Sequence, residues 1–128
     1  MVLSFGHITL NVTNLQRSKD FYLKFFREAK IVMESDTEVG IQSGDFSVWL
    51  VAETKDGQAM QGIATDQLVG MHHVAWKVNT LEQLQAWESY LREQQMELSK
   101  GGITDDDFGG TGIFLRDPDN IRLEIHLG

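Results

Sequence analysis

Three residues in this chain have the side chains that hold a divalent metal ion and still leave it reactive: His7, His73 and Glu124. Two neutral imidazoles and one carboxylate suit Fe, Mn, Zn, Ni or Co. Three protein ligands leave positions open for water and substrate, the pattern of a catalytic rather than a structural site. The three lie far apart in the chain, so no local motif joins them. An internal repeat does. Gly6-His7-Ile8-Thr9-Leu10-Asn11-Val12 and Gly70-Met71-His72-His73-Val74-Ala75-Trp76-Lys77-Val78 each read as a short strand that opens on histidine and runs into a helix. A third stretch, from Asp117 through Asn120 to His126, is a turn followed by a strand carrying Glu124.

The elements around these residues repeat as well. Residues 5–12 alternate with period two, which predicts a half-buried strand. Thr13 and Asn14 are good helix caps, and Leu15, Ser18, Phe21, Tyr22, Phe25 and Phe26 form one helical stripe. Strands are expected at 31–33, 39–42 and 46–52. Residues 53–66 are polar and aperiodic and read as a linker. In the second half a strand is expected at 72–78. Thr80 with Gln83 makes a capping box, and Leu81, Leu84, Trp87 and Tyr90 or Leu91 make the next stripe. Further strands are expected at 96–98, 112–115 and 121–127, with a glycine-flanked acidic loop at 101–110. The order is βαβββ twice. It predicts a single α+β domain over 1–128, with modules at about 4–53 and 70–128 and a linker at 54–69. The two modules would form a cupped mixed sheet with the helices on its outer face.

Residues two apart on a strand share a face. The apolar faces, such as Ile8, Leu10 and Val12 or Leu123, Ile125 and Leu127, belong under the helices. The leftover faces carry His7, Thr9, Asn11, His73, Lys77, Arg122, Glu124 and His126, and would line the cup. His7, His73 and Glu124 are therefore expected to share one divalent ion; a polar cup satisfied by its own hydrogen bonds is the alternative. His72, on the opposite parity from His73, is expected to pack or to touch a ligand from behind.

The composition narrows the function. No run approaches the length of a membrane span, and the N-terminus has no basic residue before its short apolar run, so neither membrane nor signal peptide is expected. The chain has no cysteine, which excludes disulfides, thiolate zinc sites and a cysteine nucleophile and is compatible with a cytoplasmic location. A formal net charge of −8 repels phosphate backbones, so a small-molecule substrate is expected rather than nucleic acid.

His7-Ile8-Thr9-Leu10 followed by Asp20-Phe21-Tyr22, then His73-Val74-Ala75-Trp76, and Asp117-Pro118-Asp119 before Leu123-Glu124 are where the chain resembles the vicinal oxygen chelate superfamily. That superfamily includes glyoxalase I, extradiol dioxygenases, fosfomycin resistance enzymes and bleomycin resistance proteins. The resemblance implies one divalent metal ion on His7, His73 and Glu124, a substrate chelated through adjacent oxygens, and a homodimer, often with cups shared between chains. Four-ligand members place a carboxylate where Trp49 stands here, which disfavours glyoxalase I itself and makes Trp49 a candidate apolar wall. The expected activity is that of a metal-dependent dioxygenase or glyoxalase-like lyase. The alternatives are a bleomycin-resistance-type binding protein and a fosfomycin-modifying transferase. Besides Glu124, Thr9 and His126 are candidate catalytic groups, with Trp49, Lys77, Phe114 and Arg116 around the substrate.

Overall fold

The computed structural model describes residues 1–52, 69–105 and 109–128. The chain divides into two compact units, Met1–Gly62 and Ile63–Gly128. The expected linker, apart from Val69, and the centre of the acidic loop lie outside the described residues.

In the first unit, strand β1 (His7–Asn11) runs into helix α1 (Leu15–Phe25), followed by β2 (Lys30–Glu34), β3 (Glu38–Ser43) and β4 (Phe46–Val51). The second unit repeats this with β5 (Val74–Val78), α2 (Leu81–Glu93), β6 (Thr104–Asp105), β7 (Thr111–Arg116) and β8 (Arg122–Leu127). The sheets are ordered β1-β4-β3-β2 and β5-β8-β7-β6. Each sheet is mixed: the β1–β4 and β5–β8 pairs are parallel and the others antiparallel. The α+β class and the double βαβββ order follow directly from these ladders.

Local chemistry starts each helix where the sequence asks for it. Asn14 Oδ1 accepts the amide of Arg17 at 3.0 Å, and Thr80 Oγ1 accepts that of Gln83 at 3.2 Å. Gln83 reaches back to the amide of Asn79 at 2.9 Å, so two amides at the start of α2 are satisfied reciprocally. The stripes bury as patterned. Tyr22, Phe25 and Phe26 of the first unit pack with Leu10, Val12, Val39, Ile41, Val48 and Leu50 in its core, and Leu84 and Leu91 are fully buried in the second. Leu91, rather than Tyr90, is the fully buried residue of the last turn.

The strand expected at 96–98 does not form. Gln95 adopts φ 59°, and the Met96 amide donates to Leu91 O at 3.0 Å, so this stretch closes the C-terminus of α2 instead of pairing with a neighbour. The ladder is taken by Thr104 and Asp105, opposite Gly112 and Thr111. The start of the acidic loop is tethered as well: Ile103 N donates to Glu88 Oε2 at 3.1 Å, and Arg92 bonds both Glu88 and the Gly101 carbonyl.

Ser18 is the exception in the α1 stripe. It is fully buried, and its hydroxyl has no hydrogen-bond partner among the described residues. Ser18→Ala removes an unpaired polar atom and adds helix propensity. It is expected to stabilise the protein by about 1 kcal/mol, a rise of roughly 4 °C in Tm by calorimetry. An unchanged or lower Tm would mean that the hydroxyl is satisfied after all.

Candidate metal centre

The second unit brings Glu124 into place with a hairpin. Asp117 Oδ1 accepts the amides of Asp119 and Ile121, at 2.8 and 2.9 Å, and Asn120 takes φ 66°. This turn fixes the β7–β8 register, which sets Glu124 opposite Phe114; the parallel ladder sets Ala75 on its other flank. Cross-strand partners share a face, so Ala75, Lys77, Phe114, Arg116, Arg122, Glu124 and His126 all lie on one side of the sheet. Leu123 and Ile125, on the other side, belong to the core.

His73 and Glu124 meet on that face. His73 Nε2 stands 2.9 Å from Glu124 Oε2, and Glu124 is only 7% exposed. Gly112 makes room for it: a Cβ at that position would come within 3.0 Å of Glu124 Oε1. The His73 ring also meets Phe114 edge-on, at 6.4 Å between centroids. Metal–ligand bonds of about 2.1 Å meeting near a right angle put two donor atoms roughly 3 Å apart. An imidazole nitrogen and a nearly buried carboxylate oxygen at this separation suit a divalent ion, which would also offset the charge of the buried carboxylate.

His72 departs from the parity expectation. The β5 ladder begins at Val74, so alternation does not govern 71–73. The His72 and His73 rings lie 5.0 Å apart, with their Nδ1 atoms at 2.7 Å. His72 thus packs against His73, and the expected opposite-face placement is not met.

In the first unit, His7, Thr9 and Trp49 share one face, with Thr9 opposite Trp49 and Trp49 opposite Gly40. His7 and Thr9 are exposed. Thr9–Trp49–Gly40 is the register counterpart of Ala75–Glu124–Phe114, so Trp49 does stand where the repeat would put a second carboxylate. Its indole lies over Gly40, where a Cβ would come within 2.8 Å of the ring, and its Nε1–H donates to Ser47 Oγ at 3.0 Å. Among the described residues, no three His, Asp or Glu side chains gather into a ready-made cage. The second unit assembles two of the expected ligands, and His7 opens β1 in the first.

The substrate-side residues divide. Lys77 sits across from His126, and both lie on the Glu124 face. Phe114 is buried opposite Glu124. Arg116 Nη1 donates to the Asn120 carbonyl at 3.2 Å, so it braces the turn. Arg122, expected on the cup-lining face, has its guanidinium over the Phe114 ring at 4.7 Å.

The whole chain is 27% identical to the metallothiol transferase FosB of Shouchella clausii, covering 82% of it, and 28% identical to FosB of Staphylococcus saprophyticus, covering 79%. Among solved structures, lactoylglutathione lyase from Agrobacterium tumefaciens superposes with a TM-score of 0.74 at 16% identity, covering 98% of this chain and 93% of that one. Fosfomycin resistance protein FosX from Mesorhizobium loti superposes with a TM-score of 0.68 at 22% identity, covering 100% and 94%. At these identities the structures speak for the fold alone. The doubled βαβββ topology and a sequence match over residues 4–125 point the same way, and the chain belongs to the glyoxalase/bleomycin resistance protein/dioxygenase superfamily.

Proposed function

We propose that this protein is a divalent-metal-dependent enzyme that takes a small anionic substrate through adjacent oxygens, with His7, His73 and Glu124 holding the metal. The observation that carries the reading is the 2.9 Å approach of His73 Nε2 to a nearly buried Glu124, on the sheet face opposite Leu123 and Ile125. A bound divalent ion would supply Lewis acidity toward the substrate oxygens. The chain supplies the rest. Lys77 and Arg122 place positive charge on the Glu124 face and would draw in and orient an anion. Thr9 would donate a hydrogen bond to a substrate oxygen. His126, half-buried and two residues past Glu124 on the same face, would move a proton. Trp49 would give the substrate an apolar wall. The working unit is a homodimer.

Of the superfamily's reactions, thiol transfer to fosfomycin is favoured over ring cleavage or a glyoxalase-type reaction. Lys77 and Arg122 on the Glu124 face favour it, as do the likenesses to FosB over the whole of this chain. A sequestering protein is the second reading, favoured by the broad indole surface of Trp49 over Gly40.

Metal analysis of the purified protein, with His73→Ala alongside, separates the two. Stoichiometric metal in the wild type that is lost in the variant supports the enzyme. No metal in either, with fosfomycin and catechols unchanged by the protein, rejects it. Fosfomycin consumed together with a low-molecular-weight thiol identifies the reaction.

A further inference from the structure

The contact between His72 and His73 has a chemical consequence, which rests on the metal-centre reading above. Two ring nitrogens 2.7 Å apart form a hydrogen bond only when one carries the proton and the other accepts it. His73 is then held at both ends, by His72 at Nδ1 and by Glu124 at Nε2. We propose that His72 is a positioning residue. Its Nδ1 exchanges a hydrogen bond with Nδ1 of His73, which locks the ring with Nε2 turned toward Glu124 and the metal.

The two nitrogens of an imidazole are coupled. In the metal-free protein, Nε2–H of His73 donates to Glu124, so its Nδ1 accepts from His72. Were Nε2 to hold a metal, the ring proton would sit on Nδ1 and would need an acceptor there. Nδ1 of His72 serves in both states, because a neutral imidazole nitrogen can donate in one tautomer and accept in the other. Phe or Leu at 72 could do neither. The local backbone permits the contact because 71–73 precede the β5 ladder, so the two rings are not forced to opposite faces. Phe114 meets another side of the His73 ring in a T-shaped contact at 6.4 Å between centroids.

The test compares wild type, His72→Phe and His72→Asn. Asn places an amide close to where Nδ1 stood, and that amide can donate or accept. The first readout needs no metal: the ¹⁵N resonance of His73 Nδ1 in the metal-free protein. It is expected at a hydrogen-bonded value in wild type, at a free-nitrogen value in His72→Phe, and back toward wild type in His72→Asn. The second readout is zinc affinity by calorimetry. His72→Phe is expected to weaken it about tenfold, the low end for an outer partner because His72 is exposed, and His72→Asn to restore most of the loss. An Nδ1 resonance that is the same in all three proteins overturns the proposal, as does zinc binding by His72→Phe equal to wild type. A wild type that binds no zinc overturns the metal-centre reading instead, and the metal-free resonances still decide whether His72 orients His73.

Discussion

Replacing Glu124 with glutamine is expected to abolish divalent-metal binding while leaving the metal-free protein folded. The change keeps the shape that Gly112 and Phe114 have been fitted around, and Gln Oε1 can still accept from His73. What it removes is the negative charge. In the metal-free protein that charge is a burden: the group is 7% exposed, and its partner among the described residues is an imidazole. Glu124→Gln should therefore leave the metal-free Tm unchanged or slightly raised. With metal present the sign reverses. Metal at about 100 times its Kd stabilises a protein by about 2.7 kcal/mol. For a chain of this size that is a rise of roughly 10 °C in Tm. The variant should show no such rise. Its kcat/KM should fall by about 10³ or more, because the Lewis-acid contribution is worth several kcal/mol. A variant that keeps both the metal-induced shift and the activity would remove Glu124 from the site.

The repeat made most of this arrangement legible. His7 opens β1 and His73 stands just before β5, and parity along 122–127 separates Leu123 and Ile125 from Glu124 and His126 on the opposite face. Parity works where a ladder enforces it. It failed at His72 because backbone hydrogen bonding starts only at Val74, and without a ladder neighbouring side chains need not alternate. The missed β6 has a similar origin. Met96 and Leu98 look like strand residues, but the amide of Met96 is already used in closing α2. A two-residue strand at Thr104–Asp105 offers no period to detect. Side-chain commitments were also out of reach of pattern reading. Arg116 and Arg122 share a face and a charge, yet one guanidinium braces the Asp117 turn and the other covers Phe114.

His7→Ala is expected to match His73→Ala in metal affinity, a loss of more than about 100-fold, the upper end for the loss of an outer partner alone. The argument is one of equivalence. His7 opens β1 as His73 leads into β5, and two residues on, Thr9 faces Trp49 in the first unit as Ala75 faces Glu124 in the second. The counterpart of Glu124 is an indole, so of the two repeat-equivalent positions in the first unit it is the histidine that keeps a metal-ligating side chain. His7 is exposed, so its removal should leave the metal-free Tm where it was, which separates loss of a ligand from loss of fold. Thr9→Val provides the contrast. It should bind metal as the wild type does and lose up to about tenfold in kcat/KM, the worth of one neutral hydrogen bond. Isothermal titration with zinc on His7→Ala, His73→Ala and Thr9→Val measures all three against the wild type. If His7→Ala binds as tightly as the wild type, the third ligand lies elsewhere, and His126, on the face of Glu124, becomes the next residue to replace.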